Sequence, residues 1–106
     1  KMAKSSIKVR AKVKKGEATV KCLISHPMET GLRKDKKTGK FIPAHFIQEV
    51  VCEHGGKTVM NAQWGGTISK NPFLSFAFSE AKAGDTIKVS WVDNTGKSDS
   101  TEAKMK

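Results

Sequence analysis

The sequence lacks any run of about 18 apolar residues, so it encodes no helix able to cross a bilayer. No apolar segment follows the charges of Lys1-Met2-Ala3-Lys4, and no secretory leader is visible. That lead is expected to be flexible or expression-derived, with the natural start at Met2. Cysteine is scarce: Cys22 and Cys52 cannot build a rich disulfide framework, and their spacing fits no zinc pattern. They are expected to be free buried thiols, with a bridge between them the alternative. Phosphate-cradling patterns of the Gly-x-x-x-x-Gly-Lys or Gly-x-Gly-x-x-Gly type are missing, and Gly55-Gly56 and Gly65-Gly66 read as turns. The nucleophile elbow Gly-x-Ser-x-Gly is missing too. Glu29 and Asp35 are lone carboxylates beside a basic run, better suited to surface ion pairs than to catalysis. An enzyme is therefore not expected, and neither is a cofactor.

What is present suits one domain spanning residues 1–106. The hydrophobic share is 37%, the aromatic share 7% and the mean hydropathy −0.47, values of a globular chain with a well-solvated surface. Charge is lopsided, with a formal net +10 and a pI near 9.8. Cations gather in Lys1 to Lys15 and again at Arg33, Lys34, Lys36, Lys37 and Lys40. Such a surface attracts acidic partners and repels copies of itself. No recognition helix, zinc finger or aromatic-studded RNA-binding strand accompanies the charge, so nucleic acid is not the expected partner.

Periodicity is that of strands throughout. Ile7, Val9, Ala11 and Val13 alternate with Lys8, Arg10 and Lys12, and Ala18, Val20, Cys22 and Ile24 repeat the period of two after a break at Lys14-Lys15-Gly16-Glu17. A third strand is expected over His45–Glu53, with a mixed phase that suggests a bulge, and its return over Thr58–Trp64 after the hairpin signal His54-Gly55-Gly56-Lys57. Thr67–Pro72 reads as a short crossing segment. Phe73–Phe78, Thr86–Val92 and a charged edge strand over Lys97–Ala103 complete the set. About seven short strands with frequent turns predict an all-β, immunoglobulin-like β-sandwich of antiparallel strands, with Trp64, Phe76, Phe78 and Ile87 at its centre.

One stretch stands out. Ile24-Ser25-His26-Pro27-Met28-Glu29-Thr30-Gly31 ends a strand on a breaker, and a long basic loop then runs to Ile42-Pro43-Ala44-His45-Phe46. A connection of this length is functional or disordered more often than idle, and it is read here as a binding edge. His26, Met28, Cys22, His45, Cys52 and His54 are capable metal ligands, and a small periplasmic metal-handling sandwich is the competing reading. Its weakness is that methionine commonly fills core gaps and a histidine before proline commonly bonds a turn.

The segments His26-Pro27-Met28-Glu29-Thr30-Gly31-Leu32-Arg33-Lys34-Asp35, Ile42-Pro43-Ala44-His45-Phe46-Ile47 and Ser69-Lys70-Asn71-Pro72-Phe73 resemble the SoxZ family, as do Gly84-Asp85 and Trp91-Val92-Asp93-Asn94-Thr95-Gly96. The similarity covers nearly the whole chain in order. It departs at Cys22 and Cys52, which carry over no role. The resemblance implies a non-catalytic subunit that pairs with SoxY, whose arm cysteine carries sulfur intermediates in bacterial thiosulfate oxidation. It further implies docking of other Sox enzymes on the pair and periplasmic residence after export with a signal-bearing partner. Self-association is expected only when the partner is missing. The residues expected on or near the partner face are His26, Met28, Glu29, Thr30, His45, Asn71 and Pro72, with Leu32 and Phe73 as apolar anchors.

Overall fold

A computed structural model describes residues 6–65, 68 and 70–106. Lys1–Lys4, the Gly66 end of the second glycine pair, and Thr67 and Ser69 of the expected crossing segment lie outside the described residues. Seven strands are formed among the described residues, and no helix: β1 (Ile7–Lys14), β2 (Glu17–Ile24), β3 (Ile47–His54), β4 (Lys57–Gln63), β5 (Phe73–Phe78), β6 (Thr86–Asp93) and β7 (Ser98–Lys104). They form two antiparallel sheets, one ordered β1-β2-β5 and the other β4-β3-β6-β7. The architecture is the expected sandwich.

Local chemistry explains the strand ends. Gly55 and Gly56 both take positive φ, 59° and 80°, which is what a two-residue hairpin turn requires to match the twist of its strands. The mixed phase of β3 resolves into register shifts, between Cys52 and Glu53 against β4 and between Ile47 and Glu49 against β6. The strand can thereby bury Ile47, Val50 and Cys52 despite its irregular spacing.

The core is lopsided. Its fully buried side chains include Val20, Cys22 and Ile24 of β2, Ile47, Val50 and Cys52 of β3, and Ile87 and Val89 of β6. None comes from β4 or β5. Ile87 occupies the centre as expected, but Trp64, Phe76 and Phe78 do not: they are half-buried and packed against the core from one flank. The reason is position. Phe76 and Phe78 lie on an edge strand and Trp64 just beyond another, so each has core on one side only. At the opposite flank the C-terminal tail closes the sandwich. Lys106 donates its N–H to the Ala11 carbonyl (3.1 Å) and accepts from the Val13 N–H (2.8 Å), while Met105 exchanges bonds with Gly84 and Asp85 and is 2% exposed. Burying a side chain of that size is worth about 1.5–3 kcal/mol.

Cys22 and Cys52 are both free and fully buried, on facing sheets. Burial pushes the Cys22 thiol up to about 11 and the Cys52 thiol up to about 12, the latter helped by Cys22 and Glu53. A folded-state value above the ordinary 9.0 means that the native state holds these protons more tightly. Their contribution to stability is thus complete at neutral pH and is lost as pH rises past the unfolded value. At about pH 8 a thiol-specific disulfide reagent should leave both cysteines unreacted in native protein and label both in denaturant. The urea midpoint should fall as pH climbs beyond about 9, and rapid native labelling of either thiol would refute this burial.

Candidate functional site

The site begins where β2 ends. Ile24 still bonds forward, its N–H reaching the Pro72 carbonyl at 3.0 Å, and His26 is then strapped to the same segment: its N–H donates to Asn71 Oδ1 and its carbonyl accepts from the Asn71 N–H, both at 3.0 Å. Pro27 has no N–H to extend the ladder. Met28 takes a left-handed φ of 50°, which turns its N–H back onto His26 Nδ1 at 3.1 Å. That bond fixes the tautomer: with Nδ1 accepting, the ring proton sits on Nε2. Nε2 points at Asp93 Oδ2, 3.1 Å away. Met28 folds inward, and its Sδ accepts the Ile47 N–H at 3.4 Å.

His45 arrives from the segment before β3 and places its Nε2 2.8 Å from the same Asp93 Oδ2. The imidazoles of His26 and His45 meet edge to face at 4.6 Å, and His26 meets Trp91 likewise at 5.1 Å. Asp93 closes β6. Its Oδ1 accepts from the Thr95 N–H (2.9 Å), the Thr95 hydroxyl (2.6 Å) and the Lys97 N–H (3.0 Å). Its neighbour Asn94 clamps the other side, accepting from the Phe46 N–H at 2.8 Å and donating to the Ala44 carbonyl at 2.9 Å. One carboxylate, 2% exposed, thus joins the end of β2 in one sheet to the start of β3 and the β6–β7 turn in the other. Burial alone would raise its pKa, but the bonds from Thr95, His26 and His45 outweigh that and hold the carboxyl far below the usual range.

The basic loop is an ordered arm. Glu29 and His45 exchange backbone bonds of 2.7 and 2.9 Å, the Ile42 N–H reaches the Arg33 carbonyl at 2.7 Å, and the Asp35 N–H reaches Lys40 at 2.8 Å. Gly31 allows the two sides to approach: at φ 87°, a Cβ there would sit 3.2 Å from that of Ala44. Arg33 pairs with Glu29 on the surface and lowers the pKa of that carboxyl. Lys34 lies over the exposed Phe41 ring at 5.1 Å.

The expected partner residues fall into two groups. His26, Met28, His45, Asn71 and Pro72 belong to the tie, where His26, Met28 and Pro72 are buried and His45 keeps 29% of its side chain exposed. Glu29, Thr30 and Leu32 lie on the arm, with Leu32 80% exposed, and Phe73 stands apart at the start of β5, 63% exposed beside its register partner Leu23. Of the sequence's potential ligands, His26 and His45 converge. Cys22 and Cys52 stay in the core, and His54 bonds Asp85 at 2.8 Å instead. Asp93 was missed as a functional residue, because Asp93-Asn94-Thr95-Gly96 reads as a turn and nothing local marks partners 67 and 48 residues away.

His26, His45 and Asp93 present ligand atoms within 4.8 Å of one another. Two imidazoles and a carboxylate suit zinc or copper in kind. To take an ion, both Nε2 atoms would have to shed their protons and the carboxylate would have to give up both imidazole donors. As arranged, the cluster is complete: among the described residues no buried side-chain nitrogen or oxygen lacks a partner.

A family profile described as "Sulphur oxidation protein SoxZ" matches residues 7–104. The chain belongs to the SoxZ family. No curated protein matches the chain. The SoxZ match runs from β1 to β7, so the tie and the arm fall inside it.

The tie makes a stability prediction. Because the folded pKa of Asp93 is depressed, its contribution is fully present above about pH 4 and is lost as pH falls through the folded value. D93N puts an amide where two imidazole N–H groups need an acceptor, and should cost about 3 kcal/mol or more at neutral pH. Wild-type stability should also drop more steeply than that of D93N between about pH 5 and pH 2. Urea unfolding across that range reads both, and a cost under about 1 kcal/mol would show that the tie is incidental.

Proposed function

We propose that the chain is the non-catalytic subunit of the SoxYZ sulfur-compound carrier, binding and supporting SoxY, whose arm cysteine holds the intermediate during thiosulfate oxidation. The observation that carries this reading is the SoxZ match over residues 7–104. The thiols supply the chemical support. A covalent sulfur carrier needs an accessible thiolate, whereas both cysteines here are fully buried with pKa values pushed up to about 11 and about 12. The carrying cysteine then belongs on another chain. The net charge of +10 favours a partner or substrates of opposite sign, through encounter rate more than final affinity. In this reading the pair resides in the periplasm, reached by export with SoxY, and other Sox enzymes dock on the assembled carrier.

A second reading, a periplasmic metal-handling sandwich, is favoured by the approach of His26, His45 and Asp93. Titration with zinc or copper separates the two, since sub-micromolar uptake that vanishes in H45A would support metal handling. For the carrier reading, co-expression with SoxY should give a stable heterodimer, and the isolated chain should turn over no thiosulfate. Turnover by the chain alone, or failure to associate, would overturn it.

A further inference from the structure

We infer that the free edge of β5 is a strand-addition site, taking an extended segment of the partner as the next strand of the β1-β2-β5 sheet. The inference rests on the subunit reading above and names how the partner is held.

Backbone geometry identifies the donors and acceptors. The Ile24 N–H bonds the Pro72 carbonyl, so this pair is a hydrogen-bonded one in the β2–β5 register, as are Cys22 with Leu74, Val20 with Phe76 and Ala18 with Phe78. The intervening residues Phe73, Ser75 and Ala77 therefore turn their N–H and C=O groups to the open side. None of these has a partner among the described residues. They form the evenly spaced row that an added strand requires.

Comparison with the other edges is what singles out β5. β1 carries Lys8, Arg10, Lys12 and Lys14, and part of its edge is occupied by Lys106. β7 carries Asp99, Glu102 and Lys104. β4 begins with Lys57, and its Asn61 and Gln63 side chains are engaged with each other and with Glu49. Charge and irregularity are the usual protection of an exposed edge. β5, reading Phe-Leu-Ser-Phe-Ala-Phe, has no charged residue.

The side chains point the same way. Leu74, Phe76 and Phe78 face inward from β5 and remain half-buried, as do Met60 and Trp64 across the gap. A recess lined by His54, Lys57, Val59, Phe78 and Glu80 lies between the two edges. An added strand with apolar residues at alternate positions would complete the core that neither β4 nor β5 completes. The occupant is a different chain with acidic flanks. Lys21 pairs with Ser75 on the outer face, Lys57 borders the recess together with Glu80 and Lys70 precedes the strand, so cations predominate along the edge, and a second copy of this chain, itself at +10, would bring like charges together.

Amide exchange of the labelled chain, free and bound to co-expressed SoxY, tests this. The Phe73, Ser75 and Ala77 amides should exchange fast in the free chain and slow by at least about 100-fold in the complex, while those of Leu74, Phe76 and Phe78, already bonded to β2, change far less. S75P removes an N–H that the fold does not use. It should keep the native circular dichroism spectrum and weaken SoxY binding at least about 10-fold, with E102P on the β7 edge, where the N–H likewise faces outward, as the control that leaves binding intact. A complex in which the three amides stay fast overturns strand addition alone. Protection that instead grows with the concentration of the isolated chain assigns the edge to a second copy and also overturns it. If no complex forms, the subunit reading falls, and this inference with it.

Discussion

A single buried carboxylate governs the loop end of this sandwich. Asp93 accepts from two imidazoles through one oxygen and from the β6–β7 turn through the other, so the separation of the sheets and the turn geometry are set together. A charge in that position is tolerable only because every lone pair is engaged, since an unpaired buried ion would cost several kcal/mol. The arrangement explains otherwise unfavourable local choices. Met28 holds a positive φ of 50°, a conformation that costs a bulky residue about 1 kcal/mol or more, and Asn71 takes 51°, which asparagine adopts more readily. Each returns a bond to the tie: Met28 N–H to the His26 ring, and Asn71 to the His26 backbone. The arm is rooted there too, through the Glu29–His45 pair.

Much of the scaffold was legible in the sequence, because a period of two leaves few alternatives. β1, β2, β5 and β6 follow directly from alternation, and the β3 bulge was announced by its broken phase. The core was harder to read. Trp64, Phe76 and Phe78 have the composition of a centre, but composition does not say which strands lie at an edge, and topology put them on an uncovered flank. Met105 failed in the other direction: isolated in a polar tail, it is buried because its backbone bonds Gly84 and Asp85 of the β5–β6 connection while Lys106 beside it zips onto β1. The site was half legible. His26, Met28 and His45 stood out beside prolines, while Asp93 was hidden in a turn motif that its second oxygen truly serves.

The two flanks of the sandwich answer the same physical problem differently. Where β1 meets β7, the chain supplies its own closure with the C-terminal residues and lines the edges with charge. Where β4 meets β5, no such closure is seen among the described residues and β5 carries no charge, although Trp64, Phe76 and Phe78 stay half-buried there. An uncharged strand with unpaired backbone groups is an aggregation hazard in a protein that works alone. The proposed strand addition would cover it, and a net charge of +10 makes free copies repel one another.

This division of labour separates rigidity from recognition. The tie needs seclusion, since water reaching Asp93 would weaken the bonds that hold its charge. In the proposed assembly the arm and the β5 edge need exposure, the first for its cations and for Leu32, the second for its backbone. The Asn71-Pro72 segment joins them, because Asn71 is strapped to His26 and Pro72 accepts the last β2 bond immediately before Phe73 opens β5. The register of the proposed docking strand is thus fixed from the buried end of the molecule. A partner docking on β5 as proposed would meet an edge already held in place by Asp93 through His26, so loosening the tie would blur that edge without touching it.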